Sequence, residues 1–187
     1  MFKFSQPVVS SDAELIRSAR QGDLRAFGAL VERYQEKVVN VIYRLCGDPE
    51  LAQDVSQEAF IRAWQKLPQY DIQRPFQNWL LRIAANIAIS HLRQAKPTVD
   101  IEKVQLESMH ENPDILVEEK QRAAWVRQAI LDLPVASRSV LVLREYEGFS
   151  YKEIADALQI PIGTVMSRLN YARTQLHQSL KHLMEAK

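Results

Sequence analysis

The chain has 187 residues, 47% apolar and 25% charged, with 24 basic against 23 acidic side chains, a composition that folds and excludes a disordered or fibrous chain. Five glycines and eight prolines argue against a turn-rich sandwich, and the single Cys46 excludes an internal disulfide. No run approaches the roughly 18 apolar residues of a membrane span, and the first ten residues lack a signal peptide's apolar run, so the cytoplasm is the expected compartment.

Helical periodicity dominates and no segment reads as strand. A first helix opens at Ser11, with Glu14 at capping-box spacing, and stops near Gly22. A second fills 23–47, with Phe27, Leu30, Val31, Tyr34, Val38, Val41, Ile42 and Leu45 recurring at helical spacing. Asp48-Pro49 supplies an N-cap and a proline at the first helical position. The third helix carries Leu51, Val55, Ala59, Phe60, Ala63, Trp64 and Leu67. A polar loop at 68–75, holding Tyr70 and Asp71, leads to a fourth helix over 76–92 with Phe76, Trp79, Leu80, Ile83, Ala84, Ile87 and Leu92 on its apolar side. Pro97 and Pro113 bracket a connector with little amphipathic pattern, whose composition is that of a solvated tether. Helices resume over 115–133, 137–147, 151–158 and 163–184. The expected fold is all-α: a helical domain at 11–94, a flexible acidic linker at 95–119 and a second helical domain at 120–187.

Net charge is near zero, but its distribution is uneven. Residues 1–93 carry 12 basic and 10 acidic groups, residues 120–187 carry 10 and 6, and residues 100–119 carry seven acids against Lys103. Two mildly positive blocks therefore flank a negative connector.

The sharpest motif is 148–169, GFSYKEIADALQIPIGTVMSRL. Ser150 and Glu153 have capping-box spacing, Ile154, Ala155 and Leu158 give a short helix its inward face, and Ile160-Pro161 makes a tight turn. Val165 and Leu169 face inward on the next helix, so the segment reads as a helix-turn-helix. Outward, Thr164, Ser167, Arg168, Asn170 and Tyr171 suit base edges and phosphates, while Arg173 and Lys181 add attraction to a nucleic-acid backbone. A hairpin inside a larger helical bundle would share the apolar pattern. The pairing of turn chemistry with a polar, partly basic outer face favours DNA.

In the N-terminal half, Asp54, Gln57 and Glu58 share one face of the third helix. An acidic docking surface and an ordinary solvated face both fit this spacing. Catalysis by the carboxylate pair is disfavoured because no His or metal ligand joins it in the sequence. On the fourth helix, Asn78, Arg82, Asn86, Ser90 and Arg93 form a polar stripe, and the loop before it holds Tyr70. Such a stripe can track a phosphate backbone and hold unstacked bases. His91, His110, His177 and His182 form no recognisable ligand pair, and no glycine-rich phosphate loop exists. No metal, cofactor or enzymatic activity is expected. The competing reading is a stand-alone helix-turn-helix regulator binding a symmetric operator as a dimer. The fourth helix and its loop weigh against that reading, because a duplex reader does not require them.

These blocks, in this order and spacing, resemble the extracytoplasmic-function sigma factors of bacterial RNA polymerase, within the sigma-70 superfamily. The resemblance spans about residues 11–185. It rests on Ala26-Phe27, LVERY at 30–34, DVSQEAFIRAW at 54–64, FQNWLLRIAAN at 76–86, Leu133-Pro134 and the 148–169 motif. It implies that Asp54, Gln57 and Glu58 dock on the coiled coil of the polymerase's largest subunit. It further implies that the 68–75 loop receives a flipped −10 base, that Asn78, Arg82, Asn86 and Ser90 hold the non-template strand, and that the 163–174 helix enters the major groove of the −35 element. The acidic connector would run through the active-site and RNA-exit channel, mimicking RNA. Members commonly have an anti-sigma partner, which would clamp between the domains and cover Asp54, Glu58 and the recognition helix. Many members carry a basic residue where this chain has Met166, so one expected −35 contact is absent.

Overall fold

The computed structural model describes residues 10–94 and 113–185, apart from the side chains within 113–120 and 182–185. The acidic residues at 100–111 and the RNA-mimicry reading built on them lie outside the described residues. Among the described residues all regular structure is helical.

The N-terminal domain comprises α1 (Asp12–Arg20), α2 (Leu24–Cys46), α3 (Pro49–Lys66), a 3₁₀ turn at Leu67–Gln69 and α4 (Phe76–Gln94). Both halves of the expected capping box close at Ser11: its amide donates to Glu14 at 2.7 Å, and the Glu14 amide donates to the Ser11 hydroxyl at 3.3 Å. Asp23 and Asp48 cap α2 and α3, each accepting from two first-turn amides. Helices α2, α3 and α4 pack around Leu30, Val41, Ile42, Val55, Ala59, Leu80 and Ala84, all essentially inaccessible. Helix α1 lies along α2.

The C-terminal domain comprises α5 (Pro113–Leu131), α6 (Val135–Glu145), α7 (Tyr151–Leu158) and α8 (Ile162–Glu185). Helix α5 thus begins inside the stretch expected to be linker. Helix α8 is the spine, packed against α5, α6 and α7 through Val165, Leu169 and Ala172, all buried.

The sequence reads as two helical units on a linker and leaves their resting arrangement open; in the structure they share one continuous buried cluster, with α5 and α6 on α2, and α6 and α7 on α4. The expected apolar side of α4 is therefore incomplete. Leu81, Ala85, Ala88 and Ile89 are also buried, so α4 is covered on two sides. Small alanines there allow close approach of a second helical layer, and a one-stripe reading of amphipathicity does not see them.

Two residues define the seam. Gly47 ends α2 with φ of 76°, and a Cβ there would stand 2.7 Å from Leu131 Cδ1 in α5. Glycine is required both for the left-handed turn and for the approach of the other domain. Arg138 of α6 is buried and donates to the carbonyls of Leu45, at the end of α2, and of Leu131 and Leu133, after α5. One guanidinium thus neutralises two helix C-termini across the domain boundary. Burial pulls its pKa downward.

Candidate nucleic-acid and polymerase interface

Val55, Ser56 and Ala59 are buried on α3, which fixes the helix's rotation and turns Asp54 and Gln57 out to solvent, with Glu58 half-exposed. Glu58 is held from two sides, by Arg62 Nη2 at 2.5 Å and by His91 Nε2 of α4 at 3.1 Å. The hydrogen bond from His91, reinforced by Arg62, holds the Glu58 carboxyl below the ordinary carboxylate range. The sequence placed no histidine beside this pair; the packing of α3 on α4 brings His91 there. Arg62 was legible as an i,i+4 partner, whereas His91, 33 positions away, was not. Ile61, at 59% exposure, stands one turn beyond Gln57 and Glu58 on this face. It gives the acidic surface an apolar element that the sequence analysis did not single out.

The stripe on α4 is present but partly engaged. Asn78 donates to Glu153 Oε1 of α7 at 2.6 Å, and Asn86 donates to the Ala157 carbonyl of α7 at 2.9 Å and to the Arg82 carbonyl at 2.9 Å. Ser90 accepts from Gln94 at 3.3 Å, and Arg93 is exposed. Between the domains lies a cavity of about 340 Å³ whose polar lining includes Asn86, Ser90, Arg93, Ser139 and Arg168. It holds two arginines and no carboxylate, and its potential is positive.

Tyr70 departs from expectation. It is 4% exposed, stacked among Phe76 and Trp79, and its hydroxyl donates to the Arg74 carbonyl, while its own carbonyl accepts from Arg20. Aromatic packing draws the ring inward, so Tyr70 braces the 68–75 loop rather than offering a stacking face. Burial raises its pKa.

In the helix-turn-helix, Glu153 divides its two carboxylate oxygens. Oε2 accepts from the Ser150 amide at 2.8 Å and its hydroxyl at 2.8 Å, completing the capping box, while Oε1 takes Asn78. The Ser150 backbone hydrogen bond is the main influence holding its pKa down. The turn passes through Gln159 in left-handed conformation (φ 53°), and the Ile160 amide returns to the Ala155 carbonyl at 3.1 Å. Along α8, Ser167, Asn170, Tyr171 and Arg173 are exposed, and Thr164 is half-buried. Arg168 does not stand on the fully exposed face: it is half-buried at the cavity between the domains. Arg173 is held by Glu145 through Nε at 3.1 Å and Nη2 at 2.6 Å. Ile162 and Met166 stand one turn apart at the start of the helix, both exposed.

Comparison with known proteins fits this arrangement. The description "Sigma-70 region 2" matches residues 30–98, and "Sigma-70, region 4" matches residues 123–176. The RNA polymerase sigma-H factor of Pseudomonas aeruginosa is 38% identical over 184 residues, covering 92% of this chain and 95% of the relative. SigW, an extracytoplasmic-function sigma factor of Bacillus subtilis, is 35% identical over 90% of this chain and 96% of its own length. The sigma-E factor of Escherichia coli K12 is 33% identical over 93% and 96%. Among solved structures, CnrH in complex with the cytosolic domain of CnrY superposes with a TM-score of 0.67 at 28% identity, over 92% of this chain and 99% of that one. The chain belongs to the extracytoplasmic-function sigma factors, which direct bacterial RNA polymerase to promoters. The family consists of DNA-binding initiation factors rather than enzymes. Among the described residues no helix is long and apolar enough to cross a membrane.

Proposed function

We propose a division of labour within this sigma factor. Residues 11–94 dock on core polymerase through Asp54, Gln57 and Glu58 and read the −10 element through Asn78, Arg82, Asn86, Ser90 and Arg93. Residues 120–187 read the −35 element through α8, with Thr164, Ser167, Asn170 and Tyr171 toward the bases and Arg168 and Arg173 toward phosphates. Residues 95–119 join the two and thread the polymerase channel. Tyr70 is withdrawn as a DNA contact and assigned to the loop's support. The observation that carries this reading is the placement of an open acidic face on α3 and a polar stripe on α4 by one shared core.

Melting proceeds by capture of −10 bases, which offsets the roughly few kcal/mol lost on unstacking, and no catalysis by the factor itself is involved. Because Asn78 and Asn86 are bound to α7, separation of α4 from α7 precedes entry of the strand. An anti-sigma protein regulates the factor, the class of partner with which sigma factors of this fold have been solved, and the site of action is the cytoplasm. Run-off transcription with purified bacterial core and a pool of fragmented host DNA tests the proposal. Discrete starts sharing −35 and −10 elements are expected. No starts, together with polymerase-independent binding to a symmetric site, would overturn it in favour of a stand-alone regulator.

A further inference from the structure

Ile162 and Met166 occupy the first two turns of α8 and are 47% and 54% exposed. Their spacing of four sets them side by side, continuing into Asn170 four residues on. They cannot rotate inward, because Val165, Leu169 and Ala172 are buried on the opposite side and fix the helix's setting.

The two arginines that follow this pair along α8 are turned away from it in the free protein and are assigned above to phosphates rather than base edges. Arg168 lines the interdomain cavity, and Arg173 is bound to Glu145. No arginine or lysine lies between positions 162 and 167. The first turns of α8 therefore lack the bidentate donor that reads guanine, whereas they carry two apolar side chains flanked by Ser167 and Asn170. In a helix-turn-helix the N-terminal turns of the second helix meet the base edges. The distinctive apolar feature that a major groove presents there is the C5-methyl of thymine.

We propose that Met166, supported by Ile162, reads thymine methyl groups in the −35 duplex, so that this factor selects T·A pairs at the positions these side chains meet. This rests on the assignment of α8 to the −35 element. Asn170, next on the same stripe, supplies the adjoining polar contact, suited to adenine. The unusual residue at position 166 then changes the base that is read rather than deleting a contact.

The test uses holoenzyme of the full chain with core polymerase and a promoter duplex obtained from run-off start sites. Each −35 thymine is replaced in turn by deoxyuridine, which removes the methyl group and keeps every hydrogen-bonding atom. Methyl burial predicts about three- to fivefold weaker binding at one or two adjacent positions. Met166→Ala should abolish that sensitivity, and Met166→Leu should keep it; Met166 is exposed, so the fold tolerates either change. Equal binding of thymine and deoxyuridine at every −35 position, or undiminished sensitivity in Met166→Ala, overturns the methyl reading. Scrambling the whole −35 element without loss of binding overturns the assignment of α8 as well. Loss on scrambling with no methyl effect overturns the Met166 proposal alone. If Met166→Ala leaves DNA binding unchanged and instead weakens a protein inhibitor, the patch is a protein contact and the proposal fails.

Discussion

The polar stripe of α4 and the outer face of α8 are both nucleic-acid surfaces by sequence, yet the fold treats them oppositely. The stripe faces the other domain: Asn78 and Asn86 spend their donors on α7, and a cationic cavity lies beside them. The α8 face, with Met166, Ser167 and Asn170, looks outward and is exposed among the described residues. The acidic face of α3 is likewise open. Each of the hydrogen bonds to α7 differs from its solvent counterpart by only about 1 kcal/mol, so the larger cost of uncovering α4 lies in the apolar core the two domains share. On the proposed assignment, the molecule as folded exposes its polymerase-docking and duplex-reading faces while two donors of its strand-holding stripe are occupied.

The largest effect that would break this contrast is at the open acidic face. Asp54→Ala with Glu58→Ala should weaken core binding by about a hundredfold or more, since removing charged anchors typically costs 2–5 kcal/mol each, and helicity by circular dichroism should be unchanged. Full affinity in a pull-down with core polymerase would remove α3 from the docking surface. Next is the seam itself. Arg138→Met leaves the carbonyls of Leu45, Leu131 and Leu133 without their donor and should cost about 3 kcal/mol in urea unfolding. Small-angle scattering should show the closed form expanding.

Glu153→Ala removes the carboxylate half of the α7 capping box and the bond to Asn78, an effect of about 1 kcal/mol, and should free Asn78 of the α4 stripe without touching it. The same carboxylate sets a pH dependence. Its pKa is lowered in the folded protein from the ordinary 4.5, so its contribution is present above that value and is lost as pH falls through the lower, folded value. Thermal melts between pH 5 and pH 3 should be shallower in pH dependence for Glu153→Gln than for the parent. The smallest expected effect sharpens the open side. Gln159 adopts the left-handed conformation that glycine accepts without strain, so Gln159→Gly should raise stability by up to about 1 kcal/mol, read from the same melts.

Local chemistry was legible. The capping boxes at Ser11 and Ser150, the Asp48-Pro49 start of α3 and the helix-turn-helix all follow from residues within a turn of one another. What escaped the sequence required distant packing. His91 reaches Glu58 only once α3 packs on α4, and Arg138 reaches Leu45 and Asn78 reaches Glu153 only once the two domains have met. Tyr70 was misplaced because a polar loop gives no sign that an aromatic cluster of Phe76 and Trp79 waits beneath it. Arg168 was placed on the outer face because helical spacing alone does not say where the neighbouring domain stands.

The second apolar side of α4 bears on how this protein can be divided. Leu81, Ala85, Ala88 and Ile89 are buried on a helix that α6 and α7 also cover, so an isolated N-terminal fragment would bare the part of α4 those helices shield, alongside an uncapped Leu45 carbonyl. Such a fragment would self-associate through α4, the surface with which it is expected to hold DNA. Dissection of the two halves therefore calls for polar replacements on that strip, or for α6 to be supplied in trans.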